Sequence, residues 1–193
     1  VTGFEYGLEA ETMLETMSEN WTETLVYTIT CENVAVTGNG SLFHLEYVEA
    51  DLDAQCSATA SGTSFGGAHE AAIYSSCGAV VTVNGGTYTA VNALQTGNLG
   101  GDIIVKGGEF NGNIKSWMLD NDTRDFADVN KANITIEGGK FTGNFVYADN
   151  CSAESPLLTV VISGGDFSDT EIPEEYIEVK EGFTAKWVAS ERY

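Results

Sequence analysis

Positive charge is scarce in this chain. Eight Lys and Arg stand against 29 Asp and Glu over 193 residues, a formal net charge of −21 with a pI near 4.1. Nucleic acid and anionic lipid surfaces are held through basic patches, so both are excluded as expected partners. No run of 18 apolar residues occurs, so no segment reads as a membrane-inserted helix. Cysteine is limited to four residues without C-x-x-C spacing, and only two histidines, His44 and His69, could join them, which argues against a zinc site. Val1 in first place reads as a processed or trimmed chain. The length and the 42% hydrophobic content fit one domain able to fold alone.

What the chain has instead is a phrase used four times. Val81-Thr-Val-Asn-Gly-Gly-Thr-Tyr88, Ile103-Ile-Val-Lys-Gly-Gly-Glu-Phe110, Ile134-Thr-Ile-Glu-Gly-Gly-Lys-Phe141 and Val160-Val-Ile-Ser-Gly-Gly-Asp-Phe167 each combine a short β-branched strand, a Gly-Gly turn and an aromatic. The copies begin 22, 31 and 26 residues apart, the period of a stacked array. Alternation at period 2 sends Val81 and Val83, Ile103 and Val105, Ile134 and Ile136, and Val160 and Ile162 to one face. Stacking the copies would pile these into a continuous core, with Tyr88, Phe110, Phe141 and Phe167 filling a corner. The intervening positions face water. Lys106 followed by Glu137, and Glu109 followed by Lys140 and Asp166, place opposite charges on neighbouring strands and mark an in-register stack.

A weaker copy, Val34 to Phe43, carries one residue between its glycines, and Leu45 to Ile73 is expected to hold another, blurred coil. Residues 1–30 do not resemble the coils. Met13, Leu14 and Met17 fall at helical spacing, whereas Thr24 to Thr30 alternates like a strand. The expected division is therefore an N-terminal cap or assembly segment over 1–30, the stacked repeats over 31–170, and cap strands over 171–193, where Tyr176 to Val179 and Thr184 to Val188 read as a final pair.

The cysteines read as disulfide candidates. Cys56 and Cys77 bracket a Gly/Ser/Ala-rich segment, which favours them as a loop staple, with Cys31 and Cys151 paired, free or bonded to another subunit; three full connectivities remain open. Five Asn-x-Ser/Thr sequons, at Asn20, Asn39, Asn121, Asn133 and Asn150, are glycosylation candidates if the chain is exported, and with the cysteines and acidity they point to an extracellular or cell-surface location.

The Ile/Val-x-Ile/Val-x-Gly-Gly-x-Phe phrases resemble the repeats of right-handed parallel β-helix domains, the pectate-lyase-like superfold, and especially the Gly-Gly-x-Phe coils of bacterial cell-surface and adhesin-like proteins. The resemblance spans about Val80 to Ser168. It implies an all-β chain, a right-handed parallel β-helix (β-solenoid) of about five to six coils with an N-terminal cap or exchange segment, exposed at a surface as stalk, adhesin or filament.

That superfold also hosts polysaccharide lyases and hydrolases, which use clustered carboxylates and calcium. The one cluster of that kind, Asp120, Asp122, Asp125 and Asp128, has Arg124 where an oxygen ligand is needed and lacks the turn glycine. It reads as a solvated acidic loop with at most weakly bound Ca2+, and no other cofactor is expected. Neither histidine has a Ser, Cys or Asp partner at a spacing that suggests a nucleophilic triad. The expectation is a non-enzymatic extracellular structural protein that polymerises with itself into a surface filament or adhesive appendage through its solenoid ends. The alternative is a glycan-binding adhesin using Trp21, Trp117 or Trp187 as stacking platforms for surface glycans, and a divergent polysaccharide lyase ranks below both.

Overall fold

The computed structural model describes residues 8–11, 27–46, 48–60, 71–97, 100–116, 132–147, 158–167 and 172. These residues are all-β, with no helix among them. The chain visits two parallel sheets in turn, each pass opening in a six-stranded sheet and continuing into a ten-stranded one. β1 (Leu8–Glu11) belongs to the ten-stranded sheet. The first full pass is β2 (Tyr27–Cys31), β3 (Ala35–Gly38) and β4 (Phe43–Glu46). The second is β5 (Val48–Leu52), β6 (Ser57–Ala60) and β7 (Ala71–Ser76). Longer strands make the third, β8 (Val80–Val83) with β9 (Thr87–Thr96), and the fourth, β10 (Gly101–Val105) with β11 (Glu109–Ser116). The fifth is β12 (Ala132–Ile136), β13 (Lys140–Phe141) and β14 (Phe145–Tyr147), and the last is β15 (Leu158–Ile162) and β16 (Asp166–Phe167).

In the six-stranded sheet the spatial order follows the chain, from β2 through β5, β8, β10 and β12 to β15. The register aligns Ile29, Ala50, Val81, Ile103, Ile134 and Val160 in one column, and Cys31, Leu52, Val83, Val105, Ile136 and Ile162 in another. The side chains of Val81 to Ile136 in these columns have no solvent exposure. Burying a Val or Ile side chain completely contributes roughly 1.5–3 kcal/mol, so each repeated β-branched pair adds several kcal/mol of cohesion between passes. Both columns therefore extend two passes further toward the N-terminus than the repeated phrase does.

The aromatics form the third column. Tyr88, Phe110, Phe141 and Phe167 are in register, and their rings stack at 5.3, 4.7 and 4.6 Å with interplanar angles of 13°, 7° and 8°. The Gly-Gly turn is what lets the chain enter this column. Gly86 has φ +98°, and a Cβ there would overlap the Cys56 carbonyl oxygen of the pass beneath. Outside the core, Glu109, Lys140 and Asp166 are stacked in the expected order.

One sequence expectation is altered. The phrase from Val34 to Phe43 is out of phase: Val36 pairs with Ala58, which pairs with Tyr88, so this segment occupies the aromatic column and not the strand that precedes the turn. That strand is β2 in the first pass and β5 in the second. Over the expected N-terminal segment, β1 pairs with β4 and β2 with β5, in parallel and within the same chain. Met13, Leu14, Met17 and the expected strands at 176–179 and 184–188 lie outside the described residues.

Candidate functional site

Three places in the stack bring chemically distinctive groups together. The first is its pair of ends. Among the described residues β2 and β15 each have one neighbour in the six-stranded sheet, and β1 and β16 hold the same positions in the ten-stranded sheet. A terminal strand presents N–H and C=O groups in the same spacing that the previous pass has just used. Phe167, the last ring of the aromatic column, is half-buried where Phe110 and Phe141 are fully enclosed.

The second is a polar row on the ten-stranded sheet. His44, Tyr74, Gln95 and Lys115 occupy equivalent positions on β4, β7, β9 and β11. Alternation places them opposite the core residues Phe43, Ile73, Leu94 and Ile114, yet Tyr74 and Gln95 are buried and His44 nearly so. The His44 imidazole stacks on Tyr74 at 4.6 Å, and its Nε2 lies 3.3 Å from Glu46 Oε1. Asn92 Nδ2 donates to Gln95 Oε1 at 3.0 Å. The sequence offers no partner for His44; the structure puts it on a strand, oriented by a carboxylate and a ring. No spacing rule could have found Tyr74, because the register alone brings it to His44.

The third is an interior corner of the first two passes. Asp53, in the turn after β5, accepts the backbone N–H of Asn33 at 3.2 Å on both carboxylate oxygens and that of Gln55 at 2.9 Å on Oδ1. Burial works to raise its pKa, but these hydrogen bonds, together with the thiol and N–H of Cys56, outweigh it and hold the carboxyl below the usual range. Inside the turn, Cys56 Sγ lies 3.2 Å from the Cys31 carbonyl oxygen. Burial, and then the neighbouring thiol and Asp53, push the Cys31 thiol up; burial is also the main cause for Cys56. The Tyr88 phenol, fully enclosed and without a hydrogen-bond partner among the described residues, is raised by burial first and then by Cys56, Asp53 and Cys31, which places it against the same corner.

The remaining sequence candidates separate into two groups. Cys31, Cys56 and Cys77 are buried and their thiols are free. Cys56 stands where the chain leaves the six-stranded sheet and Cys77 where it returns, so the intervening β6 and β7 keep them at different corners. Asn39 is exposed. Asn133 is half-buried on β12, and the Nδ2 that a glycan would occupy donates to Asp102 Oδ1 at 2.6 Å. Asp120, Asp122, Asp125, Asp128, Trp21, Trp117, Trp187, Asn20, Asn121, Asn150 and Cys151 lie outside the described residues. Among the described residues no group of three or more His, Cys, Asp and Glu is placed to hold a metal, and no helix is long and apolar enough to cross a membrane.

No protein-family model, curated protein sequence or solved structure matches this chain.

Proposed function

We propose that the passes form a right-handed parallel β-helix, and that the chain is a non-catalytic extracellular structural protein, the subunit of a surface filament or adhesive appendage joined through the ends of its stack. Parallel strands connected by crossovers within one sheet are right-handed in about 98% of cases, which supports the handedness. The observation that carries the functional reading is the aromatic column. It runs in register over four passes and finishes on the half-buried Phe167, beside terminal strands with one described neighbour each. A second copy placed with its first pass on that end would continue the backbone ladder and set Val36 of the new copy over the Phe167 ring, closing the apolar column as each pass within the chain does. The charge of −21 sets a condition on such a joint. Acidic surfaces repel, so the contact itself must be apolar, screened by salt or bridged by cations.

The test is cryo-electron microscopy of the native material beside the Phe167→Glu variant. The proposal expects fibres from the native chain, and dispersed particles with unchanged far-ultraviolet circular dichroism from the variant. Dispersed native particles over a range of salt, or variant fibres identical to the native ones, would overturn assembly through this end.

A further inference from the structure

We propose that Cys31 and Cys56 are the two halves of a disulfide that ties the first two passes together at their shared corner. Neither residue is marked by spacing, since 25 positions separate them. The register joins them. β2 lies on β5 with Cys31 opposite Leu52, and the chain then turns through Asp53 to Cys56 directly over the turn that follows Cys31. Asp53 N–H donates to the Cys31 carbonyl at 3.1 Å, and Ser57 N–H to the Val34 carbonyl at 2.9 Å, so the two turns are clamped on either side of the pair. Between the clamps Cys56 Sγ is 3.2 Å from the Cys31 carbonyl oxygen, and both side chains point into the core, 1% and 3% exposed. Burial first, and then the neighbouring Cys56 thiol, raise the pKa of Cys31, which sets the two sulfurs close together in this enclosed corner. Cys77 is excluded from that enclosure by its place at the opposite end of β7.

The oxidant is a disulfide of the glutathione class. The thiolate of one cysteine attacks it, forming a mixed disulfide and releasing one small thiol. The second cysteine then attacks the protein sulfur, the Cys31–Cys56 bond forms, and a second small thiol leaves. Two protein thiols are oxidised, one external disulfide is reduced, and the two protons pass to the released thiols. Burial keeps both cysteines protonated in the finished fold, so the exchange belongs to the opening and closing of the first passes and is slow once they are shut.

The experiment is refolding of the full chain in a buffer of reduced and oxidised glutathione, followed by alkylation and peptide mapping without reductant. The expected result is a peptide pair joining Cys31 to Cys56, lost on reduction, retained in Cys77→Ser and absent in Cys31→Ser. A pair joining Cys56 to Cys77 or Cys31 to Cys151 would overturn the proposal. So would full alkylation of both Cys31 and Cys56 after refolding under oxidising conditions, a result the wild-type chain gives without relying on any variant to fold.

Discussion

The passes before Val80 and those after it reach the same register with different chemistry. After Val80 each turn is Gly-Gly and each corner an aromatic ring stacked on the next. Before it, the turn following β5 is Asp53-Ala-Gln-Cys56, with no glycine, and the aromatic column is continued by Ala58 and Val36. A carboxylate collecting backbone N–H groups serves where a left-handed glycine serves later. The volume left by the small residues is met from the side: Phe43 on β4 approaches Tyr88 edge-on at 6.3 Å and 66°. Tyr88 is thus the junction, stacked on Phe110 above and turned toward the cysteine corner below. The stack requires filled interior volume and a closed turn in every pass, and it accepts more than one way of supplying each.

The comparison can be broken most forcefully by removing a ring. Phe110→Ala should destabilise the chain by about 3–5 kcal/mol in denaturant titration, whereas Val36→Ala in the same column should cost about 1–2 kcal/mol; equal costs would mean that the two halves do not differ in how they fill the corner. Installing a ring where the early passes have none is the converse. Ala58→Phe should destabilise by about 1–3 kcal/mol through overpacking against Tyr88, and a rise in melting temperature would show that the space beside Phe43 is unfilled.

The turn chemistry separates the halves by pH. The folded-state pKa of Asp53 is depressed, so its contribution is present above about pH 4 and is lost as pH falls through the lower folded value. Asp53→Asn should flatten the acid limb of a stability profile, while no glycine turn contributes one. The thiols act at the other extreme. Cys31 and Cys56 are raised, so the stability they lend the reduced chain is present below the ordinary thiol value of 9.0 and lost as pH rises past it; the Cys31→Ser/Cys56→Ser chain should lose part of that alkaline limb. The smallest effect lies on the surface of the later passes. Lys140→Glu, between Glu109 and Asp166, should cost about 0.5 kcal/mol at low salt and almost nothing at high salt.

The later half was legible because one physical requirement, inward side chains every second residue, is written four times with the same residue types. The columns beginning at Val81 and Val83, the ring column and the Glu109–Lys140–Asp166 row are all written in the residue order itself. The early half was misread where glycine was taken as punctuation. Gly38 and Gly40 imitate the Gly-Gly turn, but they close β3 on the far side of it, whereas the true turn of the next pass is made by a carboxylate that no composition rule singles out. The polar row failed for a related reason. His44 and Tyr74 lie one pass apart, and a pass in this region has no repeated phrase from which to count.

The constancy of register across unequal intervals has a consequence for how such a chain can change. β10, β12 and β15 stay aligned although the equivalent residues Ile103, Ile134 and Val160 are separated by 31 and then 26 positions. Lengthening the connection between two passes taxes closure only logarithmically, about 0.6 kcal/mol for each doubling. Foreign peptides spliced between β11 and β12, or between β14 and β15, should therefore ride outside the stack at heights fixed in steps of about 4.8 Å. The protein is in that sense a ruler, with rungs whose spacing is set by the interior and not by the length of chain between them.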